Sequence, residues 1–84
     1  MHEIYLESGC ERDLKKLPAK DFQRVIGALR SLGENPRSRN ARKIVGSKSD
    51  WRIRVGFYRI IYEIDDREKA VRVMKIKQRK EAYR

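Results

Sequence analysis

Hydrophobic side chains recur along this chain with different spacings, and each change of spacing marks an element. Ile4 and Leu6 alternate with Glu3, Tyr5 and Glu7, the period of two expected of a half-buried strand. Ser8-Gly9-Cys10-Glu11 then has the spacing of a capping box, in which serine accepts from a backbone N–H and glutamate reciprocates. Cys10, Leu14 and Leu17 follow on one helical face. Pro18 suits the first turn of a second helix, where its missing N–H is not needed. Phe22, Val25, Ile26, Leu29 and Leu32 form the strongest periodic signal in the chain, a helical stripe. Gly33 is placed as its C-terminal cap, and Asn35-Pro36 stops it. So short a connection predicts a helical hairpin.

Beyond Pro36 the pattern changes. Residues 37–50 are polar and basic, with Ala41 and Ile44-Val45 as the expected anchors. Trp51, Ile53 and Val55 then point one way and Arg52 and Arg54 the other. Gly56 permits a tight reversal into Phe57–Ile64, a stretch rich in β-branched and aromatic residues. There Arg59, Ile61 and Glu63 share a face, opposed by Tyr58, Ile60, Tyr62 and Ile64. Trp51 and Phe57 are expected to face inward. Asp65-Asp66-Arg67-Glu68 reads as a polar turn. Ala70–Ile76 reads as a last strand, whose broken alternation at Val73-Met74 predicts burial on both faces. Gln78–Arg84 suits either a short helix or a tail. The order is β-α-α-β-β-β, an α+β domain with its helical hairpin packed on a mostly antiparallel four-stranded sheet.

Eighty-four residues make a single domain, 1–84, with 39% hydrophobic and 40% charged positions. No apolar stretch exceeds Val25–Leu29, and no leader pattern precedes the first strand, so a soluble cytoplasmic domain is expected. One cysteine and one histidine exclude an internal disulfide and a conventional structural zinc site. Neither a Ser/His/Asp nor a Cys/His set is present. His2 falls in a terminus expected to fray, and Cys10 on a packing face. Asp65-Asp66 fits a turn better than a pair of catalytic acids, and the five glycines form no phosphate-cradling motif. No cofactor or metal is implied.

The formal charge of +10 is unevenly placed. Residues 1–36 balance at zero. Arg37, Arg39, Arg42, Lys43, Lys48, Arg52 and Arg54 against Asp50 give residues 37–54 a net +6, and residues 67–84 carry another +6. Two basic blocks flanking an apolar stretch suggest one cationic face assembled from separate segments, suited to phosphates, acidic peptides or an anionic membrane. The plain alternative is a solvated surface. Trp51, Phe57, Tyr58 and Tyr62 fall in the strand pair that carries Arg52, Arg54 and Arg59. Cations interleaved with aromatics favour single-stranded RNA, which offers unpaired bases for stacking. Trp51 and Phe57 fit the core better than a stacking platform. Tyr83, among Gln78, Arg79, Lys80 and Arg84, is the freer aromatic.

Three blocks carry a resemblance: Lys43-Ile44-Val45-Gly46, the run Trp51-Arg52-Ile53-Arg54-Val55-Gly56-Phe57-Tyr58-Arg59-Ile60-Ile61-Tyr62, and Arg79 through Tyr83-Arg84. With the element order and length, they resemble the RelE/ParE toxin superfamily of bacterial and archaeal toxin–antitoxin systems. The RelE-like branch implies a ribosome-dependent endoribonuclease that cuts translated messenger RNA in the ribosomal A site. The ParE-like branch implies a poison of DNA gyrase without the cleavage residues. By position, the RelE-like branch implies a catalytic set of Arg54, Arg59, Arg79 and Tyr83, with Lys77 also eligible for the place of Arg79. Lys43, Lys48, Arg52, Lys75, Lys77 and Lys80 are expected to hold RNA. An acidic or amphipathic RelB-like antitoxin is the implied partner, beside mRNA and the ribosome, with no membrane. Three positions depart from the pattern. Arg52 and Arg54 stand where some members have lysine, and Gln78 where others have histidine. Arginine stays protonated, so the proton acceptor is open. The expectation is an mRNA-cleaving toxin of a type II system; the alternatives are a gyrase-directed toxin and a non-catalytic RNA-binding module.

Overall fold

Backbone hydrogen bonds organise the chain as β1 (Glu3–Leu6), α1 (Ser8–Lys15), α2 (Ala19–Glu34), β2 (Arg42–Lys43), β3 (Asp50–Val55), β4 (Tyr58–Asp65) and β5 (Ala70–Gln78). The computed structural model describes residues 1–47 and 49–78. The strands form one sheet in the order β1-β5-β4-β3-β2, antiparallel except where β1 runs parallel to β5. The sheet therefore has five strands, one more than the four expected. The addition is β2, which pairs Arg42 with Arg52 and Lys43 with Trp51. Two residues are too few to register a period.

Both helices cover one face. Cys10 and Leu14 of α1 and Val25, Leu29 and Leu32 of α2 are buried with Ile53, Tyr58, Ile60, Tyr62, Val71, Val73 and Ile76. Phe22 and Ile26, from the edge of the same helical stripe, are partly buried against this cluster. The Tyr62 ring is fully buried, and its hydroxyl donates to the Pro36 carbonyl at 2.7 Å, fixing the exit from α2. Burial pushes that phenol up to about 12.

Tertiary contacts overrule several local signals. Ser8 is the first residue of α1 and not its cap; Glu7 holds the cap position without a side-chain bond. The Glu7 N–H is tied to the Val73 carbonyl, so the sheet sets the helix entry. Gly33 lies inside α2, buried, and is not a C-terminal cap. A Cβ there would sit 3.0 Å from the His2 carbonyl oxygen, so the close approach of the N-terminal strand is what requires glycine. Nor is His2 frayed: its N–H donates to the Gly33 carbonyl, and its Nε2 lies 3.0 Å from Asp66 Oδ1. Arg37 grips the same carboxylate with two bonds of 2.7 and 3.2 Å, and its guanidinium lies 5.6 Å from the Trp51 ring centre. The Arg37 bonds, with the His2 bond, hold the Asp66 carboxyl down at about 2.

Three further corrections concern the strands. Phe57 occupies the tip of the β3–β4 hairpin and is 70% exposed, not inward. Gly56 precedes it with φ +59, the arrangement of a type II′ turn. Val45 is 99% exposed, which leaves Ala41 as the buried anchor of its loop. The broken alternation in β5 is a β-bulge and not two-sided burial. Tyr62 pairs with Val73 and Ile61 with Lys75, so Met74 is the extra, half-buried residue. Residues 79–84, where a helix or a tail was expected, lie outside the described residues.

Candidate nucleic-acid interface

The sheet face turned away from the helices gathers the outward residues of each strand, because cross-strand partners share a face. Its first row runs Arg54–Arg59–Lys77 across β3, β4 and β5. The second runs Arg42–Arg52–Ile61–Lys75 from β2 to β5. The third runs Asp50–Glu63–Arg72–Tyr5 and ends on β1. Charge therefore changes along the strands. Two rows at the β3–β4 hairpin end carry only cations and one isoleucine. In the third, Glu63 accepts from Arg72 at 2.9 Å and from the Ser49 hydroxyl at 3.3 Å.

Two concavities open on the cationic end. One of about 500 Å³ is lined by Asn40, Arg42, Arg52 and Arg54. Another, of about 410 Å³, is lined by Lys43, Ile44, Val45, Arg52, Arg59 and Ile61. Arg52 borders both. The Arg59 stem is half-buried, and its Nε is enclosed with no hydrogen-bond partner among the described residues. A buried unpaired donor is costly. Lys77, exposed at the end of β5, also borders a groove of about 460 Å³ with Leu17, Pro18, Tyr58 and Ile76. In that groove the Tyr58 hydroxyl donates to Asp21 at 2.9 Å, and burial, helped by this bond, raises its phenol.

The structure thus brings Arg52, Arg54, Arg59, Lys75 and Lys77 onto one face. Lys43 borders it beside Val45, although in β2 it pairs with Trp51 and so alternates away from Arg42. Lys48, Arg79, Lys80 and Tyr83 lie outside the described residues. Arg42 counts in the sequence only toward the charge of its basic block, because the strand that presents it is two residues long; its place opposite Arg52 is what brings it into the site. Of the four strand-pair aromatics, Tyr58 and Tyr62 are in the core and Trp51 packs against it. Phe57, at the hairpin tip just beyond the first row, is the exposed one. Among the described residues no group of three or more His, Cys, Asp or Glu is placed to hold a metal, and no helix is long and apolar enough to cross a membrane.

A helical hairpin on a five-stranded, mostly antiparallel sheet is the architecture of RelE toxins, and it places the chain in the RelE/ParE toxin superfamily. Over residues 4–83 the chain matches the family described as the ParE toxin of the type II toxin–antitoxin system parDE, and it belongs to that family. It is a toxin of a type II toxin–antitoxin system. Solved structures share the fold. A chain of the archaeal RelE–RelB complex from Pyrococcus horikoshii is 24% identical, with a TM-score of 0.83 over 93% of this chain and 94% of that one. The toxin–antitoxin complex RelBE2 from Mycobacterium tuberculosis gives 25%, 0.82, 93% and 98%. The isolated E. coli RelE toxin gives 19%, 0.82, 93% and 84%. No curated protein matches the chain in sequence.

Proposed function

We propose that this toxin is a ribosome-dependent endoribonuclease, cutting translated messenger RNA by attack of a ribose 2′-OH on the adjacent phosphate. The observation that carries the reading is the row Arg54–Arg59–Lys77, three cations side by side on an open face. In-line attack loads negative charge onto the non-bridging phosphate oxygens. Guanidinium groups from neighbouring strands answer that charge with charge-assisted hydrogen bonds. Arg52, Arg42 and Lys75 in the next row, with Lys43 at its border, hold the flanking phosphates without reading sequence. Arg79 and Tyr83 complete the set in this reading: Arg79 as a further cation, Tyr83 as a base-stacking side chain that forces the backbone into line. Lys48 and Lys80 add to the electrostatic footprint.

The partner follows from the relatives. The Pyrococcus and Mycobacterium chains are each part of a complex with an antitoxin, so a RelB-like antitoxin with an acidic or amphipathic segment is proposed to cover this cationic face. Action on translating ribosomes sets the cytoplasm as the site of work.

One finding favours a second reading. The matching family is described by ParE, the gyrase-directed branch. A single experiment separates the two. The chain is induced in bacteria, new 5′ ends are mapped on translated and untranslated copies of one message, and gyrase–DNA cleavage complexes are measured alongside. New ends confined to the translated copy support the endoribonuclease. Growth arrest with gyrase complexes and no new ends moves the assignment to gyrase.

A further inference from the structure

We propose that Phe57 is a base-stacking residue of this interface: an unpaired RNA base lies on its ring, and the adjoining phosphates lie on Arg54 and Arg59 and on Arg24 of α2. The inference deepens the endoribonuclease reading above and rests on it. Gly56 and Phe57 form the two-residue turn between β3 and β4, and the Phe57 ring is 70% exposed. Nothing in the fold asks for an aromatic there. After a glycine at φ +59, the second turn position ordinarily takes a small polar residue. Tyr58 is in the core and Val55 packs against it, but Phe57 does neither. Single exposed apolar residues are common on protein surfaces, and this one is set apart by its surroundings. Tyr5, the other exposed aromatic among the described residues, shares its row with Asp50 and Glu63, whereas Phe57 is bracketed by cations.

Arg54 and Arg59 are the first outward pair behind the turn. Arg24 covers the opposite side. A Cβ on Gly56 would come 2.9 Å from a guanidinium nitrogen of Arg24, so this side chain reaches from α2 to the back of the turn. Among the described residues none of the three arginines enters an ion pair. Two residues along the chain separate Phe57 from Arg59, about 7 Å at strand spacing. A base on the ring and a phosphate on that guanidinium can therefore belong to neighbouring nucleotides. An apolar protein patch would meet one ring fenced by charge, and a duplex would present no free base face. A single strand offers both a π-face for the ring and phosphates for the arginines. The occupant is an unpaired nucleotide, of the message or of ribosomal RNA, which share this chemistry.

Variants are compared on ribosomes programmed with one message, across a series of toxin concentrations. Phe57→Leu keeps an apolar side chain without the π-face and is expected to raise the half-saturating concentration about 10-fold or more. The rate at saturation should not change, since the ring lies beyond the first row, and Phe57→Trp should match the parent in both. Arg24→Gln should weaken binding and make its salt dependence shallower by about one counterion. Thermal melts should coincide with the parent's, because both side chains are exposed. Replacing Phe57 with photoreactive benzoylphenylalanine names the source of the base: a cross-link to the message or to ribosomal RNA supports the proposal. Cross-links to protein alone would overturn it. So would parent-like cutting by Phe57→Leu, an equal loss in Phe57→Trp, a loss confined to the saturating rate, or an unchanged salt slope in Arg24→Gln. A parent that cuts no message overturns the endoribonuclease reading itself, and this inference with it.

Discussion

Replacing Arg59 with glutamine tests whether the cationic row is held against the stability of the fold. Arg59 has a like charge directly opposite on each side, Arg54 on β3 and Lys77 on β5. Directly opposed like charges in a sheet destabilise, each pair by roughly 0.2–1 kcal/mol. With charge centres about 7 Å apart in water-like surroundings, Coulomb's law gives about 0.6 kcal/mol for each pair and about 1.2 for both. Screening reduces that sum to about 0.9 kcal/mol at roughly 10 mM salt and to about 0.1 at 1 M. Glutamine keeps part of the half-buried stem and removes the charge. Arg59→Gln should therefore melt about 4–7 °C above the parent at the low salt, an advantage that vanishes at the high salt. The same variant should lose on the order of 10²-fold or more in message cleavage. Thermal melts followed by circular dichroism across a salt series, beside cleavage on programmed ribosomes, read both effects. A variant that melts below the parent at low salt, or whose advantage persists at 1 M, would refute the argument. Arg59 would then be held by its packing and not strained by its neighbours.

Other outcomes follow from the core and the loops. Tyr62→Phe strands the buried Pro36 carbonyl and should cost about 1–3 kcal/mol in urea unfolding; a loss below about 0.5 would show that another donor, such as water, takes the place of the hydroxyl. The Asp66 carboxyl is held at about 2, below its unfolded value, so its pairing stabilises the fold above about pH 4 and is lost as pH falls toward 2. Asp66→Asn should accordingly lower the urea midpoint near neutrality and converge with the parent at pH 2. Gly27→Ala, on an open helix surface, should stabilise by about 0.5–1 kcal/mol. Gly33→Ala should give no such gain, because its Cβ meets the His2 carbonyl; equal gains at both sites would show that β1 yields freely.

What was legible in the sequence was what repeats. The Val25/Leu29/Leu32 stripe and the alternation from Trp51 to Val55 set the helix, the strand and the faces of both, and with them placed Arg52, Arg54 and Arg59 opposite the core. Single residues whose role depends on a distant neighbour were not legible. Gly33 reads as a cap until β1 is seen lying against it, and His2 reads as a loose end until Asp66 is seen beside it. Phe57 reads as core by composition, but a two-residue turn puts it at the tip. The site shows the same division. The alternating arginines announced themselves, whereas Arg42 and the Arg59–Lys77 pairing appear only once β2 and β5 have found their partners.

The bulge at Met74 has a consequence for how this domain can vary. Val71 and Val73 reach the core from odd positions, Ile76 from an even one, and Lys75 and Lys77 face outward from odd ones. Under a strict two-residue repeat the lysines would stand inside with the valines. The extra residue shifts the phase midway, so the first half of β5 faces inward in one parity and the second half in the other. Point changes can then retune the charged rows while the buried residues stay fixed, and the reverse holds equally. A single insertion or deletion inside this strand, short of the loss of the extra residue Met74 itself, has no such freedom. It would exchange Ile76 for a lysine in the core and strip the outer face of its cations in the same event, so lineages of this chain are expected to diverge here by substitution while keeping the length of β5.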